Sequence, residues 1–403
     1  MEEKIIQSKL SNKTRYYEID FVRVCSAIGI IIAHFSSHSK DIVSTFFYDH
    51  ANGGWGFSFV TIFFCISGMV LYFNYPKISS YKIFYYKRWK SIFLEYYLCF
   101  IYFYSLNVIN NKKVFYNGNG LKLLYTLIGM DGYLLYKFST YYIIGEWFLG
   151  AIILLYLEYP LLIWVINKHI LIIPFMLLFL YPLMMFTNIF DIFIQRNLIA
   201  CTGSFFLGII TAKFYDFFKK IYIVVISLII NIILTYVNIP YLIIIIRQIH
   251  GFSLLLFLLF IGNYLMNTKL KTFFIELSKI SYGMFLFQNK IIDDIKRVFP
   301  GGKWYSIILL ILFIILLTII CAKILSIVTN SIFQSDLFKF FESKIISNKK
   351  ESILHKEEGE KKQTQNSRNI ESIDIISKNN IIENQIQLTN YNPIIPLERI
   401  NDN

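Results

Sequence analysis

The sequence predicts an all-α, polytopic integral membrane protein of about ten transmembrane helices. Hydrophobic residues make up 56% of the 403 and charged residues only 16%, against roughly 45–50% and 25% in soluble domains. The apolar residues also recur in runs of about 20, the length that crosses about 30 Å of hydrocarbon. A water-soluble domain of this composition would leave most of its apolar surface wet, which excludes that class.

The elements follow in order. Residues 1–17 are polar and basic, a segment expected to stay in the cytoplasm; no small-residue cleavage site follows the first apolar run, so no cleavable signal peptide is expected. The first span is 18–37 and the second 56–75, approached through the glycines of GGWG at 53–56. The third, 91–110, follows the basic stretch YYKRWK, and a long connection over about 111–140 leads to the fourth at 142–166. Spans five and six, 170–187 and 196–213, are interrupted by Pro174, Pro182, Asp191 and Arg196. The remaining four are 220–238, 241–266, 273–292 and 304–330. A membrane domain over 18–335 is thus expected. Over 336–403 Asn, Lys, Ser, Gln and Glu replace the apolar periodicity, which predicts a disordered cytoplasmic tail.

An even number of spans puts both termini on one side. Lys and Arg concentrate in the short loops of the N-terminal side, which predicts a multi-pass plasma-membrane protein with both termini cytoplasmic. The net charge of +13 lies in these clusters and in the tail. That pattern faces anionic membrane lipid, so no nucleic-acid partner is expected. Cys25, Cys65, Cys99, Cys201 and Cys321 lie in or at the ends of spans without paired spacing, so neither a disulfide framework nor a metal knuckle is implied.

The first span, EIDFVRVCSAIGIIIAHFSSH, carries the sharpest functional signal. Arg23 and His34 are eleven residues apart, which on a helix brings them within about 20° of one face and about 16 Å along the axis. Asp20 is in ion-pairing reach of Arg23, and His38 continues the line. Ionisable side chains in hydrocarbon face the bundle interior and mark functional paths. Asp20 and Arg23 also suit a simple interfacial pair, whereas His34 suits proton handling. His34 and His38 have metal spacing but no third ligand, so no metal is expected. Lys87, Arg88 and Lys90 read either as topology signals or as a grip on a phosphorylated ligand. Glu146, at the start of EWFLGAIILLYLEYPLL, and the pair Arg247 and His250, at i,i+3 in IIIIRQIHGF, complete the candidates.

The ordered set D-x-x-R-x(10)-H, GFSFVTIFFCISG, KRWKSIFLEYY, EWFLGAIILLYLEYPLL and SYGMFLF resembles the membrane-bound acyltransferase type 3 family over about residues 16–330. The resemblance implies an integral membrane enzyme that moves an acyl group, often acetyl, from cytoplasmic acyl-CoA (acetyl-CoA) to a carbohydrate acceptor, a polysaccharide or lipid-linked sugar. The family's arginine and essential histidine fall on Arg23 and His34, and its basic pair on Arg88 with Lys87 or Lys90. The chain departs from the pattern with Ser91, Ile92 and Leu94 where a second arginine and Ile-x-Pro are common. It also has Gln288 in place of a histidine, so no proton relay is expected there. On this reading His34 is the base, Asp20 orients Arg23, Arg23 and Arg88 hold the donor, and Glu146, Arg247 and His250 contact the acceptor. A transporter or flippase, or a glycan polymerase, is the alternative.

Overall fold

A computed structural model describes residues 15–38, 54–187, 189–237, 239, 242–299 and 304–345. The described residues are helical, without strands. The long helices are α1 (Tyr17–His38), α2 (Trp55–Asn74), α3 (Tyr81–Asn111), α4 (Glu146–Lys168), α5 (Ile172–Phe186), α6 (Leu198–Lys213), α7 (Ile221–Tyr236), α8 (Ile243–Leu265), α9 (Leu270–Val298) and α10 (Trp304–Gln334). They overlay the predicted runs, but the expected count of ten crossings is met only in part. Six helices are long and apolar enough to cross a membrane: α1, α2, α3, α4, α8 and α10. Helices α5, α6 and α7 have 15–16 residues and are apolar but short. Helix α9 is long but carries charge at both ends.

Local chemistry explains where the ends differ from the periodicity. Helix α3 starts ten residues early because the Ser80 hydroxyl accepts from Ile83 N at 3.5 Å, capping the first turn. Helix α4 starts late, at Glu146, because Gly145 is left-handed (φ 87°) and breaks the approach. The connection predicted as a loop winds into short helical turns at Gly120–Lys122, Leu123–Leu127 and Asp131–Leu134. Within it Asp131 is buried, accepts a 2.6 Å hydrogen bond from the Thr126 hydroxyl, and has its pKa raised to about 6 by burial.

Contacts divide the chain at Ile332 and Phe333. The first unit holds the bundle. Helix α2 is its hub, packing on α1, α4, α6 and α8. A Cβ on Gly68 would stand 2.2 Å from Phe205 O and one on Gly208 1.9 Å from Cys65 O, so α2 and α6 touch through two glycines. Side chains such as Leu309, Leu312, Phe313 and Leu316 on α10 are exposed, as expected of a lipid-facing surface. In the second unit, residues 336–345, placed by composition in an irregular tail, are helical; Ser335 Oγ caps them by accepting from Phe338 N. The rest of the predicted tail, 346–403, lies outside the described residues, as does the N-terminal segment up to residue 14.

Candidate active site

Two helices build the site. Helices α1 and α9 run parallel in one register: Arg23 donates to Ser278 Oγ (2.9 Å), His34 Nδ1 meets Asn289 Oδ1 (2.5 Å) and His38 Nδ1 meets Asp293 Oδ1 (2.9 Å). Every one of these pairs is 255 residues apart in sequence. Between the polar rungs Ala27, Ile31 and Phe35 pack with Ile280, Met284 and Ile291. Apolar packing thus supplies the contact and the polar pairs fix the register.

A cavity of about 970 Å³ opens beside this seam, enclosed by α1, α2, α3, α4, α9 and the connection before α4. That volume is at the upper end of small-molecule sites. Its α1 wall carries Arg23, Ala27, Ile30, His34 and His38, the stripe expected from helical spacing.

At one end lie Arg23, Arg88, Tyr156, Ser278 and Lys279. Asp20, buried beside them, accepts from Arg15 (3.0 Å), Arg23 (3.5 Å) and Ser278 (2.7 Å), so it holds Arg23 in place. The Arg88 guanidinium lies 5.7 Å from the ring centres of both Tyr75 and Tyr156. Lys87 and Lys90 do not line the cavity. Arg88, Ser91 and Ile92 are the residues that α3 presents to the cavity in this stretch, and Lys87 is exposed outside it. Of the three expected cations, Arg88 is the one that lines the cavity.

At the other end His34 meets two partners. Its Nδ1 is 2.5 Å from Asn289 Oδ1 and 3.3 Å from Glu146 Oε1, and Asn289 Nδ2 donates to the same Glu146 oxygen. A carboxylate only accepts, so Asn289 turns its NH₂ to Glu146 and its oxygen to His34. Nδ1 must then carry the proton, which leaves Nε2 as the basic nitrogen. Glu146 itself has φ 44°, left-handed for a side-chain residue, a local strain that aims its carboxylate at this cluster. Glu146, expected to contact the acceptor, lines the same cavity and faces the Nδ1 side of the imidazole. Tyr142, in the connection before α4, is held above the ordinary tyrosine range by burial and by the Glu146 charge, against a hydrogen bond with Asn289 and the nearby Arg196.

Three donors on the cavity wall are buried and unbonded among the described residues: Arg88 Nε, Tyr282 OH and Gln288 Nε2. Buried donors without partners are costly, and a ligand in the cavity would satisfy them. Gln288, at the position where the resemblance leads to the expectation of a histidine, presents a buried amide nitrogen at this wall.

Arg247 and His250 were expected to touch an acceptor, and they do not line the large cavity. Arg247 lies 4.9 Å from the ring centre of Phe57, which separates it from that space. His250 is a satisfied core residue: Nδ1 meets Ser58 Oγ at 2.7 Å, Nε2 meets Thr235 Oγ1 at 3.2 Å, and Trp55 packs edge-on at 4.8 Å. The i,i+3 pair correctly marks a buried polar face, but that face looks toward α2 and α7. His38 pairs with Asp293, and among the described residues no group of three or more His, Cys, Asp or Glu is placed to hold a metal ion.

Sequence reasoning missed Asn289, Ser278 and Tyr142, which act across helices. Arg196, noted only as an interruption, lines the cavity with its guanidinium 5.7 Å from the Trp147 ring centre.

A family model described as an acyltransferase domain matches residues 16–327. Comparison with curated proteins and with solved structures gives no match.

Proposed function

The chain belongs to the acyltransferase type 3 family and is an O-acyltransferase of the membrane, and from that premise we propose that it moves an acyl group, acetyl in the simplest case, from acyl-CoA to a carbohydrate hydroxyl with His34 as general base. The supporting observation is one cavity that joins a cationic end, Arg23 and Arg88, to an imidazole whose Nδ1 is already fixed. Arg23, oriented by Asp20, and Arg88 bind the phosphates of the donor through charge-assisted bonds. The acyl arm runs along Ala27 and Ile30 toward His34, about 16 Å away by helical rise.

There Nε2 takes the proton from the acceptor hydroxyl as its oxygen attacks the thioester carbon. The imidazolium that forms faces Asn289 and Glu146, and the Glu146 charge stabilises it. The negative oxygen of the tetrahedral intermediate needs a donor, and Gln288 Nε2 is a candidate on the wall. Collapse expels the CoA thiolate, which recovers the proton from Nε2, so the base is regenerated. With both termini cytoplasmic, as the Lys and Arg bias favours, His34 lies beyond the midplane and the acyl group crosses most of the membrane before transfer to an exported glycan.

The test is His34→Ala. O-acylation of the surface glycan, followed by its acetyl NMR signals, should vanish while protein level and membrane insertion persist. Full acylation in the variant would remove His34 from the mechanism.

A further inference from the structure

We propose that the acceptor is a negatively charged sugar, recognised beside the reacting hydroxyl by Arg196 and Lys290; this rests on the acyltransferase reading above and deepens it. The charged side chains of the cavity are nearly all accounted for. Arg23 pairs with Asp20, Lys279 with Glu276 at 2.5 Å, His38 with Asp293, and Glu146 with His34 and Asn289. Arg88 remains at the donor end. Arg196 and Lys290 remain at the His34 end, and neither forms an ion pair with a carboxylate among the described residues.

Their places are fixed by neighbours already described. Lys290 follows Asn289, the residue bonded to His34, and precedes Asp293 by one turn. Arg196 ends a short 3-10 turn, Ile194–Arg196, whose capping residue Asn197 starts α6, and its guanidinium stands 5.7 Å from the Trp147 ring. Trp147 is the residue after Glu146. Trp147, Arg196 and Lys290 thus line the same cavity as His34 and Glu146, with the guanidinium over the indole ring. A neutral sugar needs the aromatic surface but leaves two cations uncompensated. A carboxylate or phosphate on the sugar compensates both, and an arginine fork suits either group.

The experiment uses the full-length chain reconstituted in lipid nanodiscs with acetyl-CoA. Three acceptors differ in charge: methyl glucoside, methyl glucuronide and glucose 6-phosphate. The expected result is kcat/KM about tenfold to a hundredfold higher for one or both acids than for the glucoside, the range of one charge-assisted bond. R196Q and K290Q should each raise the acid's KM and shrink that preference. The two acids tell sugar carboxylate from sugar phosphate. Preference for the neutral glucoside, transfer to none of the three while acetyl-CoA is still hydrolysed, or a charge preference that survives both substitutions would overturn the proposal. So would loss of acceptor-independent acetyl-CoA hydrolysis in R196Q, which would place Arg196 at the reacting carbonyl. A second measurement does not depend on turnover. Glucuronate or glucose 6-phosphate should change the tryptophan fluorescence saturably, W147F should remove the signal, and R196Q should weaken its midpoint about tenfold or more. Saturable binding of an acid without any hydrolysis or transfer would leave this site standing and fail the acyltransferase mechanism instead.

Discussion

Replacing Asn289 by alanine removes the carbonyl that accepts from His34 Nδ1 at 2.5 Å and the NH₂ that donates to Glu146. A buried donor left without its partner costs about 1–3 kcal/mol, which is about 5- to 150-fold in rate if it falls on the transition state. Glu146 Oε1 already stands 3.3 Å from Nδ1 and can close onto it, so the loss should lie near the lower end, about tenfold in kcat. The donor KM should hardly move, because Arg23 and Arg88 are at the other end of the cavity. Asn289→Asp alone puts two carboxylates side by side and should be worse than alanine. The double variant N289D/E146Q reverses the polarity of the bridge: the introduced carboxylate accepts from both His34 and the new amide. It should recover most of the kcat lost in N289D. Steady-state kinetics of the reconstituted variants, with thermal unfolding as a check on folding, decide the matter. If the double variant loses as much as the two single changes added together, Asn289 does not act through Glu146 and His34, and the bridge is only structural.

Two further outcomes follow from the same geometry. Arg88→Gln should raise the KM for acetyl-CoA about tenfold or more, with a weaker salt dependence, while Lys87→Gln should stay within about twofold, since Arg88 alone of that stretch's cations lines the cavity; titration of donor against each variant checks both. Asp131, outside the spans, is raised from 3.8 to about 6 by burial, so its ionised form is disfavoured in the fold. The connection should therefore gain protection as pH falls from about 7 to about 4, by on the order of 2–3 kcal/mol, and Asp131→Asn should flatten that gain. Hydrogen exchange of residues 112–145, with intrinsic rates corrected for pH, reads it.

Much of the fold was legible because lipid imposes a simple rule. Apolar runs of about twenty residues had to be helices, and the α1 stripe followed from 3.6 residues per turn. What depends on a neighbouring helix was not legible. Nothing in IIIIRQIHGF says that His250 meets Ser58 and Thr235, and nothing in SYGMFLFQNK says that Asn289 rather than Gln288 faces His34. The basic stretch KRWK offered three cations at adjacent phases, and only the orientation of α3 selects Arg88. Glu146 was visible as an acid at a helix start, but its target depends on a left-handed backbone at Gly145 and Glu146 that no periodicity encodes. The expected number of crossings is met only in part for a related reason. Apolar content finds helices that avoid water, and it does not require that each be long enough to span.

The parallel register of α1 and α9 has a mechanical consequence. A slip of one turn between them, about 5.4 Å, would separate Arg23 from Ser278, His34 from Asn289 and His38 from Asp293 together, so the three polar rungs lock one another. The spacing from the cationic end to the base is thus set by the rise of a single helix, and the orientation of the base by its partner. Only Glu146 comes from elsewhere, and it is delivered by the rigid start of α4 rather than by a free loop. Sites carried on packed helices hold their geometry more closely than sites on loops. The mobile parts of this reaction are then the substrates, and the protein's work is to bring a thioester and a hydroxyl to one fixed nitrogen.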